Sequence, residues 1–216
     1  MTRIYLLVEG QTEEAFVNEL LGPHYARQEL YLIPIIAATS RTQKGGITSY
    51  AKIRPQIEKL GRQDRSAHIT TLFDLYALPT DFPGKSDPAY PEHGSGHDKA
   101  AFIENAWAQD IGWHNFIPNL LVHEFEALLF ADTRHFSAWA DDATVQWLHD
   151  IRQKTAPEDI NETPHTAPSK RIRALWRGYE KTFHGPLIAC DIGLDNIRAA
   201  CPHFHAWLSK MEQLIA

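Results

Sequence analysis

The chain has 216 residues, 44% of them apolar and 22% charged, a balance that suits a globular protein with a core of its own. Net charge is −6, from 21 basic and 27 acidic side chains, which argues against a surface coated in basic charge but not against a local basic groove. No uncharged apolar run approaches the roughly 18 residues a membrane span needs. The run ending at Glu9 is too short for a signal peptide, and two cysteines, Cys190 and Cys201, cannot build a disulfide framework, so a cytoplasmic setting is expected.

Residues 3–8 form a short run rich in β-formers and read as a buried strand. Gly10-Gln11-Thr12 turns the chain, with Thr12 placed to cap a helix whose first turn holds Glu13 and Glu14. Phe16, Val17, Leu20 and Leu21 share one helical face, and Gly22-Pro23 is expected to stop that helix. Residues 30–37 read as a second strand, Lys44-Gly45-Gly46 as a loop, and residues 49–60 as a second helix ended by Gly61. Residues 68–73 are a third strand with Asp74 at its end.

Residues 75–97 carry Pro79, Pro83, Pro88 and Pro91 with three glycines, which disfavours a helix or central strand. A loop that long at a strand end is often functional. A helix over 98–109 and a fourth strand over 116–122 follow. This β-α-β-α-β-α-β order predicts an α/β fold: a mainly parallel four-stranded sheet with helices on both faces.

Beyond residue 123 the pattern is helical. Phe125, Leu128 and Leu129 suit a helix on the sheet, and Val145, Trp147, Leu148 and Ile151 suit another. Residues 157–168 read as a polar loop, after which Ser169 is placed to cap a short basic helix. Phe204, Trp207, Leu208 and Leu214 fit a terminal helix. Residues 1–130 are therefore expected to form the α/β core, and 131–216 a helical extension packed on it.

In open α/β sheets, ligands bind beyond the carboxyl ends of the strands. Glu9 ends the first strand, with Glu13 four residues on. Asp74 ends the third, and the fourth runs into His123-Glu124-Phe125-Glu126. Carboxylates brought together at such a rim repel one another unless a divalent cation sits among them. Mg²⁺ or Mn²⁺ would suit an all-oxygen donor set and could activate water against a phosphoryl group. Glu124 is favoured over Glu126 because it lies nearer the strand end. A bland reading competes for the others: Glu13 and Glu14 favour a helix start, and Asp74 can cap a turn.

Val8-Glu9-Gly10-Gln11-Thr12-Glu13-Glu14 resembles the opening of Toprim domains and the Glu-Gly-x-x-Glu of the overcoming-lysogenization-defect Toprim nucleases. A longer pattern resembles the Toprim-like bacterial family of domains of unknown function numbered 4276. It comprises residues 73–84, His123-Glu124-Phe125-Glu126-Ala127-Leu128-Leu129-Phe130, Ala167-Pro168-Ser169-Lys170-Arg171-Ile172, His184-Gly185-Pro186 and Cys201-Pro202-His203-Phe204. The resemblance implies a Toprim-like (Rossmann-like) fold, with Glu9 as general acid or base or metal ligand and Asp74 as the first acid of an Asp-x-Asp metal motif. Tyr76 stands where that motif has its second acid, and Asp81 or Glu124 is the candidate replacement. The resemblance also implies an ATPase partner protein in a phage-defence setting.

A nucleic-acid substrate needs cations. Ser169-Lys170-Arg171-Ile172-Arg173 with Arg177 supplies them, and Lys170, Arg173 and Arg177 share a face by three- and four-residue spacing. A solvated helix surface is the bland alternative. Trp176 and Tyr179 could stack on bases, but core packing suits them better. Gly84-Lys85-Ser86 ends like a phosphate loop but has Pro79 where the first glycine belongs. Cys190, Cys201, His203 and His205 do not follow a zinc spacing. The reading is a Mg²⁺- or Mn²⁺-dependent nuclease or phosphodiester hydrolase. Glu9, Asp74 and Glu124 would be catalytic, with Glu13 and Asp81 as further metal ligands and Lys170, Arg171, Arg173 and Arg177 on the nucleic-acid backbone. The rivals are a non-catalytic regulatory subunit of an ATPase system and a hydrolase of small phosphorylated metabolites.

Overall fold

The computed structural model describes residues 1–38, 46–76, 78–161 and 166–215. The Lys44-Gly45 part of the expected loop and residues 162–165 of the 157–168 loop lie outside the described residues. The sheet is parallel throughout. Strand β1 (Thr2–Val8) sits centrally between β2 (Leu30–Ile36) and β3 (His68–Asp74). Val8 is level with Ile36 on one side and Leu72 on the other.

The fourth strand is two short pieces, β4 (Phe116–Ile117) and β5 (Leu120–Leu121), both paired with β3. Pro118 has no N–H for a ladder bond. Across the gap, the Thr71 hydroxyl donates to the Asn119 carbonyl at 2.8 Å and accepts from the Asn119 N–H at 2.9 Å. The strand is interrupted, but its polar backbone groups keep partners.

Side-chain alternation along β1 divides the core between the two sheet faces. Ile4, Leu6 and Val8 join a cluster with Phe16, Phe125, Phe204 and Trp207. Leu7 joins another with Ile53, Ile57, Phe73 and Trp107. Both faces are covered, as a parallel sheet requires. The first cluster includes residues of the C-terminal helices α8 (Lys181–Ile192), α9 (Leu194–Ala200) and α10 (Pro202–Glu212). Trp207 of α10 also donates to the Thr70 hydroxyl of β3 at 2.8 Å.

Several expected boundaries move, each for a local reason. Helix α1 (Gln11–Phe16) starts after Gly10, so Thr12 lies inside it and is buried rather than capping it. Gly22-Pro23 does not stop the chain's helical course. A π-helical turn over Val17–Leu21 leads into α2 (Gly22–Ala26), where Pro23 occupies the first turn, a place that needs no donor. Gly61 does not end α3 (Tyr50–Gln63) but lies within it, because a Cβ there would stand 1.9 Å from Trp113 Cζ3. The glycine is selected by close packing.

Helix α4 (Gly96–Ile111) begins two residues early, behind a Ser95–Asp98 capping box. Helix α5 (Glu126–Leu129) is one turn long, and in α6 (Asp142–Lys154) Trp147 faces solvent, contrary to its expected place on the buried face. Ser169 does not cap α7 (Pro168–Leu175). The cap position is Ala167, and Arg177 lies beyond the helix end.

Candidate active site

Glu9 leaves β1 at the carboxyl rim of the sheet, and α1 then returns Glu13 over the same edge. One Glu9 carboxylate oxygen accepts from the Asp74 N–H at 3.2 Å, which ties the ends of β1 and β3 together. Asp74 in turn accepts from the Phe125 N–H at 2.9 Å through Oδ1. Parallel pairing alone would bring Glu9 and Asp74 to one rim; these bonds also fix which way the carboxylates point.

The turn after β5 is unusual. His123 has φ +69°, a left-handed conformation uncommon outside glycine. Its carbonyl accepts from the Tyr76 N–H at 2.8 Å, and Asn161 Nδ2 lies 3.1 Å from its Nδ1. This bend separates the two acids that follow. Glu124 turns toward α7 and accepts from the Ser169 N–H at 3.0 Å. Glu126, fully buried, turns into the rim, and neither of its oxygens has a hydrogen-bond partner.

The cation facing these acids comes from a distant part of the chain. Lys181 Nζ lies 3.3 Å from Glu126 Oε2, 3.5 Å from Asp74 Oδ2 and 3.6 Å from Glu13 Oε1. Helix α8 can lie this close because of Gly185. A Cβ there would stand 3.1 Å from Phe125 Cε1 and 3.3 Å from the Tyr179 hydroxyl, tighter than ordinary contact.

Burial dominates the electrostatics. It pushes the carboxyls of Glu9, Asp74 and Glu126 up from their ordinary range. The nearby acids push Glu9 and Asp74 further in the same direction. The Lys181 ammonium pulls all three back, and N–H groups of Asp74 and Ile47 help Glu9. For Lys181, burial works against the charge, but Asp74, Glu126 and Glu13 more than offset it and hold the proton on. Four carboxylates around one ammonium leave a surplus of negative charge that must take up protons or a cation.

The structure thus gathers Glu9, Glu13 and Asp74, and sets Glu124 beside them. Asp81 is engaged elsewhere: it accepts from Ser49 Oγ at 2.7 Å and the Ala51 N–H at 3.3 Å, at the start of α3. Lys170, Arg173 and Arg177 are exposed, while Arg171 donates to the Thr166 carbonyl at 2.6 Å. Of the two acids after His123, Glu126 reaches the shared lysine while Glu124 accepts from the Ser169 N–H. Lys181 carried no sequence signal of its own.

The two histidines of the Cys/His set are engaged with other groups, and both cysteines are free thiols. His203 Nε2 lies 2.8 Å from Glu104 Oε1, and Arg198 Nε donates to His205 Nδ1 at 3.2 Å. Among the described residues, no group of three or more His, Cys, Asp or Glu side chains is placed so that it could hold a metal ion as it stands, the rim carboxylates included. A cavity of about 600 Å³ lined by Arg134, His149, Arg152 and Asn196 includes none of the rim carboxylates. No helix among the described residues is long and apolar enough to cross a membrane.

A family model described as "Domain of unknown function (DUF4276)" matches residues 8–212. No curated protein matches the sequence. Two solved structures of the C-terminal region of the OLD protein from Xanthomonas campestris pv. campestris are similar at 16% identity. Their TM-scores are 0.41 and 0.43, and the matches cover 98% of this chain and 98% and 97% of those chains.

Proposed function

The chain belongs to the domain-of-unknown-function family numbered 4276, and on that premise we propose that it is a divalent-metal-dependent hydrolase of phosphodiester bonds, acting as a nuclease. The observation that carries this reading is the buried rim of Glu9, Glu13, Asp74 and Glu126 facing Lys181. Its donors are all oxygens, the set that suits Mg²⁺ or Mn²⁺. Neither Glu126 oxygen makes a hydrogen bond, and the Lys181 ammonium 3.3 Å from Oε2 is the cation now beside it, a place a dication could share.

Glu9, Glu13, Asp74 and Glu126 would hold the ion, with Glu126 supplying the carboxylate that Tyr76 does not. When bound, the ion would stabilise charge on the phosphoryl group and acidify a water molecule. Lys181 places a positive charge where phosphate oxygens would arrive. The Phe125 and Asp74 N–H groups orient the Asp74 and Glu9 carboxylates. Helix α7, pinned by Ser169 to Glu124, presents Lys170 and Arg173 on the approach. The ATPase partner and the phage-defence role rest on the family resemblance alone.

The test is Mn²⁺ titration calorimetry together with cleavage assays on DNA and RNA. The wild type should bind Mn²⁺ and cut. Glu9→Gln and Glu126→Gln should each lower cleavage by about 10²-fold or more, a size typical of losing one charge-stabilising group. Binding without cleavage, or cleavage indifferent to both substitutions, would defeat the proposal. One observation favours a second reading: the Lys181 ammonium already touches three of the carboxylates. If Mn²⁺ does not bind, the rim is a lysine-closed structural cluster, and the chain is a non-catalytic subunit.

A further inference from the structure

Trp139 and Phe183 are large apolar side chains at the surface, 38% and 52% exposed, and their rings meet edge to face at 5.8 Å. A single exposed aromatic residue is ordinary; two in contact form a surface feature. Behind them lies the His184 ring, 5.3 Å from Trp139 and 5.0 Å from Phe183. Tyr179 stacks on His184 at 6.1 Å, and its own hydroxyl is buried without a hydrogen-bond partner. Burial first, and then the Glu126 charge, pushes that hydroxyl's pKa well up. The row of rings therefore runs from solvent to the wall of the carboxylate rim.

Cations accompany the row. Arg173 is close enough to Tyr179 for its charge to act on the hydroxyl, and Lys170, Arg173 and Arg177 are exposed. Exposed aromatic faces beside positive charge match a ligand that carries both flat bases and phosphates. A duplex hides its base faces in the stack and shows only edges and backbone. Exposed rings can stack only on unpaired bases.

We propose that the Trp139–Phe183 pair is a base-stacking platform and that the rim takes single-stranded nucleic acid, with the strand's phosphates led past α7 to Lys181. The inference rests on the phosphodiester reading for its chemistry, but its binding test does not need that reading. Fluorescence anisotropy of a short labelled oligonucleotide, without metal, compares the single strand with its duplex. Wild type should prefer the single strand by at least about tenfold. Phe183→Ala and Trp139→Ala should each weaken binding by about 5- to 150-fold, the loss expected from roughly 1–3 kcal/mol of stacking per base. Phe183→Trp should restore most of it. Tyr31→Ala, an exposed ring on the β2 edge, should leave binding unchanged.

Equal affinity for both strand forms, no binding at all, or indifference to both alanine substitutions overturns the platform. Hydrolysis of bis(p-nitrophenyl) phosphate by the wild type with Mn²⁺ reports the carboxylate rim separately. If that fails while single-strand binding follows the pattern above, the hydrolase reading falls and the platform stands.

Discussion

Replacing Lys181 by Met should expose how the rim is held together. The ammonium lies 3.3–3.6 Å from three carboxylates whose side chains are nearly or fully buried. At an effective dielectric of about 20, a single pair at that separation is worth roughly 5 kcal/mol. Three such terms cannot simply be summed, because the acids can escape by taking up protons. Breaking a buried pair typically costs about 3–5 kcal/mol, so Lys181→Met should lose about 3 kcal/mol or more at pH 8. Protonating one carboxylate costs about 1.36 kcal/mol per pH unit above its ordinary pKa. At pH 5, less than one unit above an ordinary glutamate, the loss should shrink to about 1 kcal/mol. Urea unfolding at both pH values reads the difference, and thermal melts at pH 8 should fall by roughly 6–12 °C for a chain of this size. Mn²⁺ should recover more stability in the variant than in the wild type. A loss below about 1 kcal/mol at pH 8, or an equal loss at both pH values, would refute the account of the rim as a charge-compensated cluster.

The His203–Glu104 contact gives a pH-dependent test of opposite location. Burial alone would lower the His203 pKa, but the Glu104 hydrogen bond and charge raise it overall. Its stabilisation is therefore fully present below the unfolded histidine value of about 6.5 and is lost as pH rises through the higher folded value. The stability gap between wild type and His203→Gln, measured by urea unfolding, should be larger at pH 6 than at pH 9. Gly61→Ala should behave against helix propensity. A mid-helix Gly to Ala change ordinarily gains up to about 1 kcal/mol, but here the Cβ meets the Trp113 ring, so a melt should show a loss of about 1–3 kcal/mol from overpacking.

The parallel sheet and the convergence of Glu9 and Asp74 were legible because both follow from local runs and a topological rule. Apolar stretches rich in β-formers gave β1 and β3, and parallel strands put their carboxyl ends on one side. What depended on a single backbone angle was hidden. Nothing in His123-Glu124-Phe125-Glu126 announces that His123 adopts φ +69°, yet that bend sends Glu124 to α7 and Glu126 to Lys181. Distance along the chain to the strand end does not say which acid meets the lysine. Lys181 was hidden for another reason: it is a lone lysine at a helix start, and only the close packing of Gly185 brings it to the rim. Gly22 and Gly61 misled because glycine reports either a stop or a tight contact, and the sequence does not say which. The platform rings show the same limit. Trp176 and Tyr179 carried the stacking idea in the sequence, but the structure leaves Trp139 and Phe183 facing solvent instead.

The rim's charge imbalance links stability to ligand binding. Four carboxylates face one lysine, and three of them are pushed toward their protonated forms by burial. Those protons occupy the oxygens that a divalent ion would need, so the two compete for the same site. The raised carboxyl values of these three groups contribute stability to the ion-free rim at low pH, because the folded state holds protons there that the unfolded chain releases above about pH 4.3. As pH climbs through the raised values, that advantage drains away and the carboxylates become available to a cation. The same buried charges that weaken the empty rim near neutrality therefore strengthen its attraction for a dication. Lys181 limits the repulsion but does not remove it, which is why a structural lysine and a metal-binding role are compatible in one cluster.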